Sequence, residues 1–369
     1  RSGTTERYPI EGTQITLGKS GTADISLPTS QDLELEHLLI APRGKEGCWI
    51  STSQGAFTPT TYRGKPFDNG IVKWGSELVI GSDPYNSPIR LSPNLGVSAV
   101  LVPNTPAVQV EGGLYKFAIY KSGDAGKVWV SVVQVIRPQV STSKMDVNFW
   151  FVGLGTLFAS KAKTNNKFQS LLTYFSGLLK EHGITVNKIN YYDVDPAIAP
   201  KYAVVDTSKD FEVDEHAELL ALSGSLPADN RGVNFFFVKG FTGWGLLGKA
   251  GGIPGPTMHG TYGSGVVVSL ADYFDPQFAD GVGLTAHAMA HELGHQLGLF
   301  HTSEQDGSMF DPIADTPKCA NDFNGDGMID FQECIGKGNT NLMFWLAHID
   351  NVLSAGQKHV IHRNPALHD

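Results

Sequence analysis

The feature of this sequence that most constrains its fold is a run of histidines spaced to hold one metal ion. Residues 291–301 fill the pattern HExxHxxGxxH. His291 and His295 lie four residues apart, so a helix places both imidazoles on one face. Gly298 permits the left-handed conformation that ends a helix, after which the chain can return His301 to the same side. The spacing therefore predicts a helix, a sharp turn and three nitrogen ligands.

The chemistry that these residues suit is zinc catalysis. Three neutral imidazoles bind Zn²⁺ and leave its fourth tetrahedral position open to water, which is the arrangement of a catalytic site. Glu292 follows the first ligand and can approach that position without binding the metal, so we predict that it accepts the proton. His287 lies on the same face, four residues before His291, but Ala288 follows it instead of Glu. We predict that His287 lies near the site without being a ligand.

This motif resembles the zinc segment of the metzincin metallopeptidases. The resemblance implies a methionine turn beneath the zinc, and Asn341-Leu342-Met343-Phe344-Trp345 fits it, with Met343 placed 42 residues after His301. Between them, Asp315-Thr316-Pro317 is similar to the pappalysin branch of the family. Several members carry Tyr two residues after the Met. This chain has Trp345 there, which cannot supply an oxygen ligand.

The resemblance also implies a fold and a substrate. Residues 141–369 would form an α+β catalytic domain, with a twisted mixed sheet plus the zinc helix. A protein or peptide substrate would bind in extended form along the exposed edge of that sheet. In this family the edge is the strand before the zinc helix, here residues 265–270. The alternative is a buried edge that binds no ligand.

The hydrophobic pattern divides the chain near residue 140. Residues 1–140 carry short apolar runs separated by turn residues, which predicts a β-sandwich-like N-terminal region, either one sandwich or two small β units. After residue 143, helical and extended patterns alternate, which indicates an α+β domain. We expect strands at 146–152, 184–192, 233–238 and 265–270, and helices at 168–180, at 214–222 and from about 284.

A second metal site is predicted in an insertion, residues 319–334, that precedes the methionine turn. Residues 322–333 match an EF-hand calcium loop at its ligand positions, and Gly327 suits its sharp turn. The oxygen donors would be the side chains of Asp322, Asn324, Asp326, Asp330 and Glu333 and the carbonyl of Met328. The alternative is an acidic surface loop that binds no ion.

The cysteines bear on the cellular compartment. Cys319 and Cys334 bracket the predicted calcium loop, and a disulfide between them would stabilise it by about 3 kcal/mol in the chain-entropy model. The alternative is two reduced, buried thiols. An oxidised pair and a calcium site together predict a secreted or extracytoplasmic protein. The chain begins at Arg1 without Met or an apolar signal region, which leaves open whether a targeting segment was removed.

Composition argues against two other classes of protein. The 369 residues include 37 acidic residues against 28 Lys and Arg, and the formal net charge is −9. A protein that follows nucleic-acid phosphates needs a basic surface, so we expect no nucleic-acid partner. No apolar run approaches the roughly 18 residues that span a bilayer, so we expect no transmembrane segment.

The sequence thus predicts a secreted zinc endopeptidase in which metal-activated water attacks the peptide bond and Glu292 is the general base. Calcium would have a structural role. Two alternatives remain open: a calcium-stabilised binding or adhesion protein with weak or no cleavage, and a latent zymogen whose residues 1–140 cover the cleft. In the zymogen, Cys48 could bind the zinc as a thiolate, but its neighbours do not match the matrixin cysteine switch. The alternative is a buried structural cysteine, since free cysteines are often buried.

Overall fold

The computed structural model divides the chain into two compact units, residues 1–140 and 141–369. In the second unit the structure describes residues 141–207, 214–243 and 245–369. In the first unit it describes residues 4–10, 14–18, 25–26, 37–40, 49–51, 61–62, 65–66, 89–92, 97–101, 106, 118–120 and 128–135. Cys48 lies outside the described residues, so its role stays a prediction.

The described residues of the first unit form short strands. Their bounds are Thr4–Ile10 (β1), Gln14–Gly18 (β2), Ile25–Ser26 (β3), His37–Ile40 (β4), Trp49–Ser51 (β5), Thr61–Tyr62 (β6), Lys65–Pro66 (β7), Ile89–Ser92 (β8), Val97–Val100 (β9), Ala118–Tyr120 (β10) and Val128–Val135 (β11). Strands pair in the orders β1-β11-β4, β3-β2-β10-β5, β6-β7 and β8-β9. Whether they build one sandwich or two β units stays a prediction.

The second unit alternates strands and helices. Its strands are Ser143–Phe151 (β12), Ile184–Asp193 (β13), Val204–Val205 (β14), Val233–Val238 (β15), Gly240–Phe241 (β16), Gly248–Ala250 (β17), Val266–Ser269 (β18) and Leu367–His368 (β19). Its helices are Ala159–Ala162 (α1), Asn166–Glu181 (α2), Glu215–Ala221 (α3), Ala271–Phe274 (α4), Gly281–Gln296 (α5) and Ala355–Ile361 (α6), with 3₁₀ turns at Ala199–Tyr202 and Leu222–Ser225. The elements expected from the sequence agree with these bounds to within three residues at each end.

These elements form a mixed sheet with helices on it, as the sequence predicts. The strand order is β13-β12-β15-β18-β17, with β14 and β16 paired separately. The first four strands run parallel, whereas β17 runs antiparallel to β18 and β19 pairs with the start of β12. The prediction that residues 265–270 form the exposed edge is wrong. All four residues of β18 are buried between β15 and β17, so β17 is the edge strand on this side.

One face of the sheet packs against α2 through aromatic side chains. Side chains alternate between the two faces of a strand, and Phe149, Phe235 and Phe237 point to the same side. Their rings meet those of Phe168 and Phe175 on α2, with centroids 5.4–6.0 Å apart. Helix α5 packs on α2, β17 and β18. The aromatic layer thus supports the helix that carries the histidines.

The opposite face packs against α3. Trp150 and Phe236 stack with centroids 5.3 Å apart, and Trp150 also stacks on Tyr192. These side chains join Leu219 and Leu220 of α3 in one buried core. The sheet is therefore covered on both faces, as expected for a largely parallel sheet. Among the described residues, no helix is long and apolar enough to cross a bilayer.

Candidate metal centre

Helix α5 carries the first part of the histidine motif and ends where the motif requires. The carboxylate of Asp280 caps its start by accepting a hydrogen bond from the Gly283 N–H at 3.3 Å. Gly298 follows the helix with φ +111°, a conformation that side chains with Cβ rarely adopt. The Gly298 N–H bonds the His295 carbonyl and the Leu299 N–H bonds the Gly294 carbonyl, each at 2.9 Å. This pair of bonds is a Schellman motif, and it turns the chain back toward the histidines.

The structure brings His291, His295 and His301 together. The Nε2 atom of His301 lies 3.2 Å from Nε2 of His291 and 3.1 Å from Nε2 of His295. Zn–N bonds of about 2.0–2.1 Å at tetrahedral angles separate the nitrogens by about 3.3 Å, close to what is seen. In the described part of the chain, no other group of three or more His, Cys, Asp or Glu side chains brings its donor atoms this close.

The second nitrogen of each ring fixes which nitrogen faces the metal. His291 Nδ1 donates to the Leu342 carbonyl and His295 Nδ1 to the Leu299 carbonyl, both at 2.7 Å. Because carbonyl oxygens only accept, these Nδ1 atoms carry the hydrogen and leave the Nε2 lone pairs for a cation. Burial, helped by His301, lowers the pKa of His291 to about 3, which keeps the ring neutral. These nitrogens therefore fit zinc.

The third ligand has a charged partner that the sequence reasoning missed. His301 Nδ1 lies 2.9 Å from the Oε2 atom of Glu304, a carboxylate three residues further along the chain. A carboxylate behind a ligating histidine orients the ring and makes it a stronger donor. The available signal was an acidic residue shortly after the last histidine of the motif. Such a spacing is common on any chain, which is why it did not stand out.

Glu292 lies beside the edge strand. Its side chain is buried, and the Ala250 N–H donates a hydrogen bond to its carboxylate. A Cβ added at Gly248 would lie 2.4 Å from the Glu292 Cγ, so only glycine lets the strand approach this closely. Burial raises the pKa of Glu292 to about 8, against the opposing effects of the Ala250 N–H and Lys249. A carboxyl group with this pKa can take up and release a proton near neutral pH.

The segment of the predicted methionine turn passes beneath α5. Met343 is fully buried, and a Cβ added at Gly294 would lie 2.4 Å from its Sδ. The Met343 carbonyl accepts the Thr302 N–H at 2.9 Å, directly after the third histidine. Together with the Leu342 carbonyl on His291, this contact ties the floor of the site to the ligands. Gly294, inside the histidine motif, is the residue that makes room for the sulfur.

Trp345 points to the inserted segment. Its indole N–H donates to the Ile329 carbonyl at 2.8 Å. Ile329 and Phe344 share a small buried core with the disulfide that the structure forms between Cys319 and Cys334. The side chain two residues after Met343 therefore anchors the insertion to the turn.

The predicted calcium loop is closed by its own backbone. Asp322 accepts the Gly325 and Gly327 N–H groups at 2.7 and 2.9 Å, and Gly325 and Gly327 have φ +75° and +85°. Glu333 accepts the N–H groups of Phe323, Asn324 and Asp330 at 2.7, 3.1 and 2.9 Å, and Asp326 accepts that of Met328 at 2.9 Å. These carboxylates bind amides and do not converge on one point, so the calcium site stays a proposal.

His287 lies outside the group of three. It is buried on α5, and its ring centroid lies 6.2 Å from that of Tyr174 on α2. Burial lowers its pKa to about 4, with a smaller effect from His348.

Comparison with known proteins adds little to this geometry. No family model and no curated protein matches the chain. Among solved structures, the archaemetzincin of Methanopyrus kandleri is similar at 15% identity and TM-score 0.31, covering 62% of this chain and 91% of that one. The archaemetzincin of Archaeoglobus fulgidus, complexed with malonate, is similar at 15% identity and TM-score 0.26, with coverages of 43% and 82%. TM-scores this low do not establish a shared fold, so the chemistry rests on the histidines and Glu292.

Proposed function

We propose that this chain is a zinc-dependent endopeptidase of the metzincin type. The observation that carries the proposal is the convergence of three Nε2 atoms, each on a ring whose Nδ1 is engaged, beside a buried carboxyl group. Zinc bound by His291, His295 and His301 would polarise the scissile carbonyl and acidify water. Glu292 takes the proton from the attacking water and delivers it to the leaving amine.

The substrate that fits this site is an extended peptide along β17. The Ser269 N–H bonds the Leu247 carbonyl, and the Gly251 N–H bonds the Gly265 carbonyl. Because antiparallel residues alternate, the backbone groups of Gly248 and Ala250, which lie between them, point away from β18. Because the Ala250 N–H is bonded to Glu292, a peptide can pair with the Gly248 N–H and C=O and the Ala250 C=O as an added strand while its side chains enter pockets.

We also propose that the predicted calcium loop binds a structural Ca²⁺ ion. Two observations support this: residues 322–333 match an EF-hand loop, and glycines at the required turns have left-handed conformations. Calcium there, together with the disulfide, is also the basis for proposing a secreted or extracytoplasmic protein.

A pappalysin-like branch is supported by Asp315-Thr316-Pro317, where Asp315 accepts hydrogen bonds from the Ser354 hydroxyl and the Gly356 N–H at the start of α6.

The experiment compares wild type, Glu292→Ala and His301→Ala for zinc content and for cleavage of casein and a quenched-fluorescence peptide. Glu292→Ala should keep one zinc and lose cleavage, because Glu292 moves a proton and is not a ligand. His301→Ala should lose both, because two protein ligands remain. More than a few per cent of activity in Glu292→Ala would refute the assignment. Zinc-loaded wild type that cleaves nothing would favour the binding protein, unless limited proteolysis activates it as a zymogen.

A further inference from the structure

The edge strand β17 is held from the side by helix α3. Its central residue, Lys249, makes one contact through its side chain and one through its backbone. The Lys249 ammonium lies 3.4 Å from Oδ2 of Asp214, and the Lys249 carbonyl accepts a hydrogen bond from Nε2 of His216 at 3.1 Å. Asp214 and His216 are 7% and 4% exposed, so water competes little for either contact. Side chain and backbone of one residue are therefore both fixed by the same helix.

Helix α3 is itself firmly mounted on the sheet. Asp214 caps its start, its Oδ1 atom accepting the Ala217 N–H at 2.8 Å while its Oδ2 atom faces Lys249. Leu219 and Leu220 are fully buried in the core that includes Val267, the residue of β18 opposite Lys249. Helix α3 is therefore fixed relative to the sheet, and through Lys249 it also fixes β17. Burial and the Lys249 cation lower the pKa of His216 to about 4, so the ring donates as a neutral group and adds no charge beside the ammonium.

The residues on either side of Lys249 are those that meet Glu292. Gly248 approaches its Cγ, and the Ala250 N–H bonds its carboxylate. Successive residues of a strand point to opposite faces, so Lys249 faces α3 and its two neighbours face α5. A strand of three residues with glycine at 248 and 251 has little order of its own. Its position over Glu292 is therefore set by its pairing with β18, to which the two contacts of Lys249 with α3 are added.

We propose that Asp214 and His216 are positioning residues for extended peptide substrates. By holding Lys249 they keep β17 at the place where its outward backbone groups pair with the peptide. The proposal rests on the proposed peptidase function. Its consequence is selective: peptides long enough to pair along β17 depend on α3, whereas a short substrate that reaches only the zinc and Glu292 does not.

The test uses the full zinc-loaded chain with two peptides that share one scissile bond, a long one of about eight residues and a short one of about three. His216→Leu fills the space without a donor, His216→Gln restores a donor, and Asp214→Asn keeps the helix cap while removing the ion pair. His362→Leu is the matched control, since His362 is 3% exposed and its Nε2 also bonds a backbone carbonyl, that of His182 at 2.8 Å.

We expect His216→Leu and Asp214→Asn to raise KM for the long peptide about threefold to tenfold, the range of one hydrogen bond, with kcat and the short-peptide KM within twofold. His216→Gln should restore KM, and His362→Leu should lower Tm without changing it. An equal loss on both peptides, or the same KM change in His362→Leu, would overturn the proposal.

A second measurement separates this proposal from the proposed function. Amide hydrogen exchange of residues 248–251 should be faster in His216→Leu than in wild type and unchanged in His362→Leu. If zinc-loaded wild type cleaves no peptide, the peptidase assignment fails, and exchange alone decides whether α3 positions β17. Unchanged exchange in His216→Leu overturns the positioning role even in an active enzyme.

Discussion

At the scale of single residues, the zinc-facing histidines differ in what lies behind them. His291 and His295 donate to backbone carbonyls, which are neutral and fixed by the turn and the floor. His301 Nδ1 lies 2.9 Å from a carboxylate oxygen, Oε2 of Glu304. A negative charge behind the ring strengthens its interaction with a cation more than a carbonyl dipole does. Glu304 is therefore the partner whose charge bears most directly on zinc affinity.

Glu304→Gln should weaken zinc binding about tenfold or more, because the amide keeps an acceptor oxygen but loses the charge. The measurement is zinc affinity by competition with a chromogenic chelator. Glu218→Gln is the control, since Glu218 lies on α3 and bonds Tyr202 instead of a ligand. Equal zinc affinities for Glu304→Gln and wild type would show that the Glu304 charge is irrelevant.

Gly294→Ala should destabilise the zinc-free protein by about 1–3 kcal/mol, because its Cβ would lie 2.4 Å from Met343 Sδ and the core must shift. Gly177→Ala is the matched control: Gly177 lies inside α2 with nothing within 4 Å of an added Cβ. That change should be neutral or stabilise by up to about 1 kcal/mol. Urea unfolding measures both variants. Similar stability of the two would mean that Met343 does not pack on α5.

At the scale of elements, the insertion (residues 319–334) and the methionine turn (residues 341–345) pack together as one structural unit. The disulfide, Ile329 and Phe344 share a buried core, and the indole of Trp345 closes it. The insertion contains four carboxylates within twelve residues, whose repulsion opposes the compact loop unless a cation is present. Any loosening of the loop reaches Met343 through its neighbours Phe344 and Trp345. The stability of the loop and the floor of the zinc site should therefore change together.

A calcium-selective chelator, with zinc replenished, should lower Tm and speed self-cleavage, because an ion bound only by the folded loop stabilises it by about 2.7 kcal/mol at a hundredfold excess over Kd. Glu333→Gln should have the same effect, with partial rescue by excess calcium. Asp306→Asn is the control, an acidic side chain that bonds Ser308 outside the loop. If Tm and autolysis are the same in excess calcium and in chelator, the acidic-loop alternative is correct.

The elements that could be predicted are those whose hydrophobic pattern is strong. Strand β15 is a fully buried run that is apolar except for Asn234, and α2 repeats at helical spacing, so their bounds follow from the sequence. Helix α5 begins three residues before the expected start, since Asp280 caps it and Gly281 lies where a Cβ would be 2.0 Å from the Asp272 carbonyl. Glycine is needed there for the close contact. Because glycine has a low helix propensity, the sequence does not predict that the helix begins at this residue.

The elements that could not be predicted depend on contacts between distant residues. Strand β17 has glycine at 248, where Glu292 approaches, and no β-branched residue, so its sequence carries no strand pattern. The contact of Trp345 with Ile329 spans sixteen residues and leaves no periodic signal. The three zinc-facing histidines, by contrast, lie within eleven residues: helical spacing relates His291 to His295, and the turn at Gly298 returns His301 to them.

At the scale of the whole second unit, residues 141–369, buried titratable groups make stability depend on pH in two opposing ways. Burial lowers the pKa of several histidines below its ordinary value of 6.5, among them His182, His216, His259, His287, His348 and His359. The unfolded chain binds these protons first, so this stability is lost as pH falls below 6.5. Burial raises the pKa of Asp311 to about 7 and that of Glu292 to about 8, so their contributions are lost as pH rises toward those values.

The Tm of the zinc-free protein should therefore fall steeply from pH 6.5 to pH 4, because the histidines outnumber Asp311 and Glu292. Asp311→Asn removes one of the two opposing contributions, so its stability relative to wild type should rise by up to about 4 kcal/mol between pH 4 and pH 7. Thermal unfolding of both proteins across this range measures the difference. A difference that does not change with pH would show that Asp311 is ionised in the folded protein throughout.

The spacing of the metal centre along the chain also has a consequence for synthesis. The three histidines lie within eleven residues, whereas Met343 and the carbonyl behind His291 come about forty residues after His301. Loops of ten residues close in about 10–100 ns, but a ribosome adding about 5–20 residues per second needs about 2–8 s to make that interval. A nascent chain therefore contains all three histidines seconds before Leu342 and Met343 have been added. Metal supply during translation, as well as after it, then affects how much protein is loaded.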